Sequence, residues 1–497
     1  MTSSTAPSHS VLKTFKRNSL FLYASEIVPR LGSLFIVPIW TARIEPAEYA
    51  RWILSLTSTE IIIGVSSLGF VSYMVKVLYR YHDERAYEYF GLAIRIVMLS
   101  TIVFALVIAY FSPFLSHHLV NSAVRPDLFL FLAIYLVFAQ FNSTAILFVQ
   151  YRIQYGSSLV LTLSRWAISV MGILYFLLVQ HQGFFSWVWA YLLTEITIFP
   201  LSVYYLRHVK WNFSNKKMTT FAFRFSLPTL ANQFLSWGQS RVGRYVLSFS
   251  GMEGGVGLLG IAQGFSQNYG ALVRPAKLVA HRIIGHKLEA DPDSPDFMEF
   301  FHLFSCLGLA IAFLAALFFQ DIMRLFVAPS YWAARVALPP LIFGLYMEEI
   351  FTLYHALMFR HFKVWFDFSR TLLAFPTATI VTLILVPRLG FMGAALAQMT
   401  CAAIMWFYAQ NYARRISSRS FQCREKMLLT LVAFGVAESA YLLHFSFLAR
   451  IVLALAALTP FLLVYWNRRY TLCPHIADRL DQITQGSRKS LWHYLWI

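Results

Sequence analysis

The chain has 497 residues, of which 58% are apolar and only 13% are charged, and its mean hydropathy is +0.59. Soluble domains are about 45–50% apolar and about 25% charged, so this composition excludes a soluble protein. A spanning helix needs about 20 apolar residues, so the chain has enough for roughly 14 spans and no room for a separate catalytic domain.

Apolar runs separated by charged or Gly- and Pro-containing breaks predict fourteen membrane-spanning helices. The connections between them are short, so the backbone polar groups must be satisfied within the helices. The sequence therefore predicts an all-α polytopic membrane protein. The spans are expected near residues 18–39, 53–73, 91–111, 127–148, 159–180, 186–206, 221–247, 256–283, 299–319, 336–358, 364–386, 390–411, 427–444 and 447–466.

The Lys and Arg residues that give the chain its formal net charge of +18 are distributed unevenly along it. With a cytoplasmic N-terminus, 29 of the 41 Lys and Arg residues lie in inner segments, 7 in outer segments and 5 within spans. By the positive-inside rule, this alternation predicts a multi-pass protein of the cytoplasmic membrane with both termini in the cytoplasm. The charge excess is then topological, and nucleic acid is not an expected partner.

The start of the chain and its cysteines limit other classes of function. Residues 1–17 are polar and the first apolar run is long enough to span, so no cleavable signal peptide is expected. The four cysteines form no disulfide framework, and no third ligand accompanies His117 and His118. We therefore expect no disulfide, no metal site, no catalytic group and no cofactor.

Short similarities divide the chain into two halves of the same orientation. The turns after spans 1 and 7 resemble each other at an offset of about 207 residues, as do the openings of spans 6 and 12. Parallel repeats of this kind place a substrate site at the interface between the halves. The predicted segments are a cytoplasmic N-terminal segment (1–17), an N-lobe (18–206), a cytoplasmic inter-lobe linker (207–220), a C-lobe (221–411), two further helices (427–466) and a cytoplasmic amphipathic tail (467–497).

Polar residues recur at helical spacing in spans 1, 2, 7 and 8. A charge buried in the membrane costs about 2.5 kcal/mol or more, so these faces are expected to meet a wet cavity or a partner. Arginine forks onto phosphate oxygens, so these faces suit an anionic headgroup, and a diphosphate is one that the arginines could hold. The candidate substrate-binding residues are Tyr23, Glu26 and Arg30 in span 1, Gln233, Ser240, Arg241 and Arg244 in span 7, and Gln263, Gln267 and Arg274 in span 8.

The arginines within the spans also have structural explanations that do not involve substrate binding. Arg30 follows Glu26 by one turn, a spacing that favours an ion pair within the helix. A long side chain near the end of a span also reaches the membrane interface, and this is the favoured explanation for Arg165. It is an open alternative for Arg241, Arg244 and Arg274.

Mid-span acids are candidates for coupling transport to H+ or Na+. Glu348 shares a helix face with His355, and together they form a set that can bind or relay a proton. Glu60 is the third candidate for ion coupling. The simpler explanation, favoured for every mid-span acid, is that it neutralises a membrane arginine. These acids are Glu60, Glu195, Glu348, Glu349 and Glu438.

Several short motifs, taken in order and spacing, indicate a family. They are VPRLGSL at 28–34, IEPAEY at 44–49, SLGF at 67–70, PRLG at 387–390 and GAALA at 393–397. Together they resemble the Wzx-type polysaccharide-export flippases of the MOP superfamily, which also contains the lipid II flippases and the MATE drug exporters. The chain departs from the family at Ala50-Arg51, where glycine usually follows the tyrosine.

The resemblance implies a MATE-like, V-shaped transporter with two six-helix lobes and two extra C-terminal helices. Spans 1, 2, 7 and 8 would line a central cavity. The implied function is alternating-access flipping of a polyprenyl-diphosphate-linked oligosaccharide, with membrane lipids, a polysaccharide polymerase and glycosyltransferases of the same pathway as partners.

Two rival functions remain open from the sequence. A MATE-like exporter of cationic drugs would need an acidic cavity, which the arginine-bearing spans do not favour. A membrane glycan polymerase, ligase or acyltransferase is the rival from an enzyme class. Polymerases and ligases generally need a large outer loop with catalytic residues, whereas the longest outer loops here are about 15 residues. The sequence therefore favours a transporter over an enzyme.

Overall fold

The computed structural model describes residues 9–80, 84–120, 127–152, 155–211, 216–290, 295–360, 364–416, 423–443 and 445–467. All regular structure within these ranges is helical. The helices are α1 (His9–Thr41), α2 (Pro46–Ser66), α3 (Phe70–Arg80), α4 (Glu84–Tyr110), α5 (Ser112–Val120), α6 (Leu128–Tyr151), α7 (Tyr155–Leu178), α8 (Phe185–Tyr205), α9 (Lys216–Phe249), α10 (Glu253–Ala290), α11 (Pro295–Phe326), a 3₁₀ helix (Pro329–Ala337), α12 (Leu338–Arg360), α13 (Val364–Leu389), α14 (Phe391–Ile416), α15 (Cys423–Leu442) and α16 (Phe447–Asn467).

Each of the fourteen predicted spans corresponds to one long helix, which confirms the all-α polytopic fold. Eight of the described helices are long and apolar enough to cross a membrane by length and composition alone. Within the described ranges, α2, α9 and α10 are not among those eight. These three helices carry three of the four predicted polar stripes, and the polar residues of those stripes lower their mean hydropathy.

The predicted end of span 2 is wrong. Span 2 was expected to continue to residue 73, but α2 ends at Ser66 and α3 begins at Phe70. Leu68 and Gly69 lie between them with positive φ angles of 49° and 74°. A Cβ on Gly69 would lie 2.2 Å from the backbone oxygen of Ser226 in α9, so this break brings the two backbones into close approach.

A second difference concerns the region around His117 and His118, which falls between the predicted spans 91–111 and 127–148 and was therefore expected to be an outer loop. Both residues lie instead on the short helix α5. Ser112, at the first position of α5, accepts a hydrogen bond from the backbone N–H of Leu130 at 3.0 Å. This contact ties the start of α5 to α6.

Two sets of six long helices pack in the same order. In the N-lobe, α4 packs on α6, α6 and α7 pack on α8, and α1 packs on α7. In the C-lobe, α11 packs on α12, α12 and α13 pack on α14, and α9 packs on α13. Helices α15 and α16 lie outside both sets, against α11 and α12. The protein therefore consists of two similar six-helix lobes with two added helices.

The lobes meet mainly along α2, which packs against α9 and α10. The two lobes approach closely at Gly257 of α10, where a Cβ would lie 1.9 Å from the backbone oxygen of Pro46 in α2. A contact this close between backbones requires glycine, because a side chain would have to push the helices apart. Gly257 therefore sets the spacing of the lobes at the end of the bundle that holds the α1–α2 turn.

The same end is closed by a contact between the α1–α2 turn and the 3₁₀ helix of the C-lobe. The Tyr331 hydroxyl donates a hydrogen bond to the backbone oxygen of Ile44 at 2.9 Å. The backbone N–H of Ala328 donates to Oγ1 of Thr41 at 3.1 Å. The Trp40 ring packs edge-on against Tyr331, with ring centroids 5.7 Å apart. The lobes are thus joined at this end, which is predicted to be the outer one.

Gly257→Val is expected to separate the lobes at this closed end and to destabilise the protein by about 1–3 kcal/mol, because overpacking here displaces backbone. The matched control is Gly254→Val in the same helix, since a Cβ at Gly254 meets no atom within 4 Å. The measurement is the distance between spin labels on Ala42→Cys and Ala333→Cys in a cysteine-free background. An equal distance in the two glycine variants would contradict this account of lobe spacing.

Candidate functional site: a polar network between the lobes

The polar stripes predicted on α2 and α9 face each other at the lobe interface. In α2 the stripe includes Thr57 and Glu60, and in α9 it includes Trp237, Arg241 and Arg244. The indole N–H of Trp237 donates to the backbone oxygen of Thr57 at 3.1 Å. The three- and four-residue spacing of each stripe places its members on one helix face, so opposing stripes meet along the interface.

Arg241 and Glu60 form a bidentate ion pair across the two lobes. Nε of Arg241 lies 2.8 Å from Oε2 of Glu60, and Nη2 lies 3.2 Å from Oε1. The two side chains are 27% and 33% exposed. The pair is therefore only partly covered by protein.

Arg244 lies one turn further along α9 and is only 5% exposed. Its Nη1 donates to Oγ1 of Thr57 at 2.5 Å, and its Nε donates to Oε1 of Gln263 at 3.0 Å. Both acceptors are neutral. The explanation that Arg244 reaches out to the membrane interface is therefore wrong, since its guanidinium group is held inside the bundle.

Gln263 belongs to a chain of amide hydrogen bonds. Its Nε2 donates to Oε1 of Gln398 in α14 at 3.2 Å, and Nε2 of Gln398 donates to the backbone oxygen of Ser240 at 2.8 Å. Ser240 itself donates its hydroxyl to the backbone oxygen of Trp237 at 3.0 Å. These contacts fix the amide that holds Arg244. Sequence reasoning missed Gln398, although it is a polar residue in the middle of a predicted span.

The charges at the lobe interface do not balance. Within the hydrogen bonds described, Arg241 and Arg244 face a single carboxylate, that of Glu60. The cluster therefore carries one net positive charge. An excess charge inside a membrane bundle is costly unless it faces water or an anion, so the cluster has the electrostatics of an anion-binding site.

Arg274 forms a second ion pair, inside the C-lobe. Its Nε lies 2.9 Å from Oε1 of Glu349 in α12, and its Nη2 lies 3.0 Å from Oε1 of Gln267. This pair is neutral and joins α10 to α12. It does not contact the cluster of Arg241 and Arg244 through any hydrogen bond described here.

A third pair lies inside the N-lobe. Nε of Arg165 in α7 lies 2.7 Å from Oε1 of Glu195 in α8, and Nδ2 of Asn142 in α6 donates to Oε2 of Glu195 at 2.7 Å. The expectation that Arg165 reaches the membrane interface is therefore wrong, because Glu195 draws it inward. The expectation that mid-span acids neutralise arginines is confirmed for Glu60, Glu195 and Glu349.

For three of the remaining candidate residues, the structure gives the degree of burial. Gln233 is half-buried on α9, Arg30 is half-buried on α1, and Glu348 is exposed on α12. The side chains of three candidates lie outside the part of the chain that the structure describes, as do residues 1–8, 212–215 and 468–497 of the predicted terminal and linker segments. Those three are Tyr23, Glu26 and His355.

No protein-family model and no curated protein matches this chain. Among solved structures, the lipid II flippase MurJ in an inward closed conformation is similar at a TM-score of 0.69 and 14% identity, covering 90% of this chain and 98% of that chain. The MATE multidrug transporter DinF-BH is similar at a TM-score of 0.60 and 14% identity, with coverages of 84% and 98%.

A third structure is the inward-facing conformation of a multidrug resistance MATE family transporter of the MOP superfamily. Its TM-score is 0.56 at 14% identity, and the match covers 81% of this chain and 96% of that chain. At such identities the similarity shows the fold alone. The chain therefore has the fold that MurJ shares with the MATE transporters of the MOP superfamily.

Proposed function

We propose that this protein is a flippase that moves a polyprenyl-diphosphate-linked oligosaccharide across the cytoplasmic membrane by alternating access between its two lobes. The observation that carries the proposal is the net positive cluster at the lobe interface, where Arg241 and Arg244 face the single carboxylate of Glu60. Guanidinium groups bind phosphate oxygens in bidentate geometry, and a site of low dielectric strengthens that attraction.

The groups around the arginines suit a glycan headgroup. The amides of Gln263 and Gln398 lie beside Arg244, and the rings of Trp237 and Tyr245 lie close together, with centroids 5.8 Å apart. Amides and aromatic faces are the groups that contact sugars. The similarity of fold to MurJ, which is a lipid II flippase, further supports a lipid-linked substrate.

A cationic drug is the rival substrate, because MATE multidrug transporters share the fold. The excess positive charge of Arg241 and Arg244 would repel such a cation at the centre of the interface. The cluster therefore favours an anionic substrate. The structures that share the fold are transporters, which also supports transport over an enzymatic reaction.

Arg244→Gln is expected to reduce flipping by about 10- to 100-fold, because a hydrogen bond to a charged group contributes about 1.5–3 kcal/mol. The assay follows a fluorescent polyprenyl-diphosphate oligosaccharide in proteoliposomes as it becomes accessible to an external quencher. The matched control is Arg450→Gln, whose guanidinium pairs with Asp321 at 2.7 Å, away from the lobe interface. Equal flipping by the two variants would remove the support for a diphosphate site.

Ion coupling, topology and pathway partners are part of the same proposal. Glu60 lies in the inter-lobe cluster and Glu348 is exposed on α12, so each is a candidate to bind H+ or Na+ during the cycle. Both termini are proposed to be cytoplasmic, with a polysaccharide polymerase and glycosyltransferases acting on the same glycan. Transport that ignores imposed pH and Na+ gradients in vesicles would contradict the coupling.

A further inference from the structure

The ion pair of Arg241 and Glu60 differs in position from the pairs that Arg165 and Arg274 form in the described helices. Arg165 and Glu195 join helices of the N-lobe, and Arg274 pairs inside the C-lobe. Arg241 and Glu60 join α9 of one lobe to α2 of the other. Any movement that separates α2 from α9 must therefore break this pair.

In this pair, the Glu60 carboxylate occupies the guanidinium group of Arg241 that the proposed substrate needs. A guanidinium fork donates to two kinds of oxyanion in proteins, carboxylate and phosphate, in the same bidentate geometry. Both nitrogens that form the fork of Arg241, Nε and Nη2, are engaged by the Glu60 carboxylate. A phosphate group bound to Arg241 in this geometry would therefore have to replace Glu60.

The neighbouring Arg244 gives a diphosphate an advantage over Glu60. Its hydrogen-bond acceptors, Thr57 and Gln263, are neutral, so none of its partners among the described residues carries a compensating charge. A diphosphate carries more negative charge than one carboxylate and spans two guanidinium groups. The exchange is favoured for a diphosphate, and less so for a monophosphate or an uncharged headgroup.

We propose that the diphosphate of the substrate displaces Glu60 from Arg241, and that this exchange releases α2 from α9, so that binding of the substrate itself unlocks the lobes. The inference rests on the proposed function and assigns Glu60 the role of an internal competitor for the substrate site. A ligand shifts a conformational equilibrium only through its different affinity for the two states. The exchange supplies that difference, because Glu60 occupies Arg241 in the locked state and leaves it available to the substrate in the unlocked state.

Two substitutions that break the same pair are expected to have opposite effects on binding. In Glu60→Gln the competitor is gone, so farnesyl diphosphate should bind about tenfold more tightly than to the wild type. This is the gain expected when the unlocked state, populated at about 10% in the wild type, becomes the main state. In Arg241→Gln the fork is lost, so binding should weaken at least tenfold. Arg241→Lys keeps the charge without the fork and should also bind more weakly than the wild type.

The probe is tritiated farnesyl diphosphate, bound to the full chain in detergent, with farnesyl monophosphate and farnesol as headgroup controls. Infrared difference spectra recorded on adding the probe should show a shifted carboxylate band in the wild type that is missing in Glu60→Gln. The control variants are Asp321→Asn and Arg450→Gln, which break an ion pair away from the lobe interface and should leave the affinity unchanged. Each variant is first shown to be monodisperse.

Affinities that change in the same direction in Glu60→Gln and Arg241→Gln would overturn the exchange, as would equal binding of farnesol and farnesyl diphosphate. If the wild type flips the glycan but shows either result, the exchange is wrong and the proposed function stands. If the wild type neither flips the glycan nor binds farnesyl diphosphate, both are wrong.

Discussion

The double substitution Arg241→Glu with Glu60→Arg exchanges the two charges of the inter-lobe pair. The protein is expected to fold, but its transport rate is expected to fall by about 100-fold or more. The exchanged pair keeps one cation and one anion between α2 and α9, so the contact between the lobes is preserved. The carboxylate now stands on α9 beside Arg244, where the diphosphate is proposed to bind. Two charge-assisted hydrogen bonds to the substrate are lost, each contributing about 1.5–3 kcal/mol.

The measurement compares the double variant with each single variant in the proteoliposome flipping assay and in thermal unfolding. Arg241→Glu alone places two carboxylates against each other, so it should be both inactive and less stable. The double variant should regain the stability and not the transport. Recovery of transport in the exchanged pair would show that only the contact between the lobes matters, and not the position of the guanidinium group.

Arg165→Met is expected to destabilise the N-lobe by about 3–5 kcal/mol, because it leaves the carboxylate of Glu195 buried without its cation. Glu195 is 0% exposed, and Asn142 is the other side chain that donates to its carboxylate. One amide hydrogen bond does not replace a paired charge in the interior of a membrane bundle. Arg165→Met should therefore give a large fall in thermal stability.

The control is the double variant Arg165→Met with Glu195→Gln, which removes both charges. Replacing a buried ion pair by neutral residues of similar size is often close to neutral, so much of the stability should return. The readout is the temperature at which the detergent-purified protein loses its monomeric peak in size-exclusion chromatography. Equal stability of the single and double variants would show that the charge of Glu195 is compensated by other means.

The sequence predicts the helices of this protein well because the spanning segments are defined by long apolar runs, whose length is fixed by the membrane. It fails at the end of α2, where Leu68 and Gly69 turn the chain with positive φ angles. The reason for that break is a close approach to Ser226, a residue more than 150 positions away. Periodicity within one segment holds no information about such a contact.

Only part of the candidate site can be predicted from the sequence, because only local spacing is visible there. Helical spacing identifies the stripes that carry Glu60, Arg241 and Arg244, since spacing is a local property of the chain. It does not identify their partners, because a pair such as Arg241 and Glu60 joins residues 181 positions apart. The expectation for Arg165 is wrong because it used only the depth of this residue in its span, whereas its partner, Glu195, comes from another helix.

The most direct test of the central claim, that the inter-lobe cluster binds an anionic lipid-linked substrate, is a comparison of two substrates with the wild-type protein. Proteoliposomes are loaded with a polyprenyl-diphosphate oligosaccharide or with a cationic dye, and the movement of each across the bilayer is followed under the same gradients. The account predicts protein-dependent movement of the diphosphate-linked glycan and none of the dye. Movement of the dye without the glycan would contradict it.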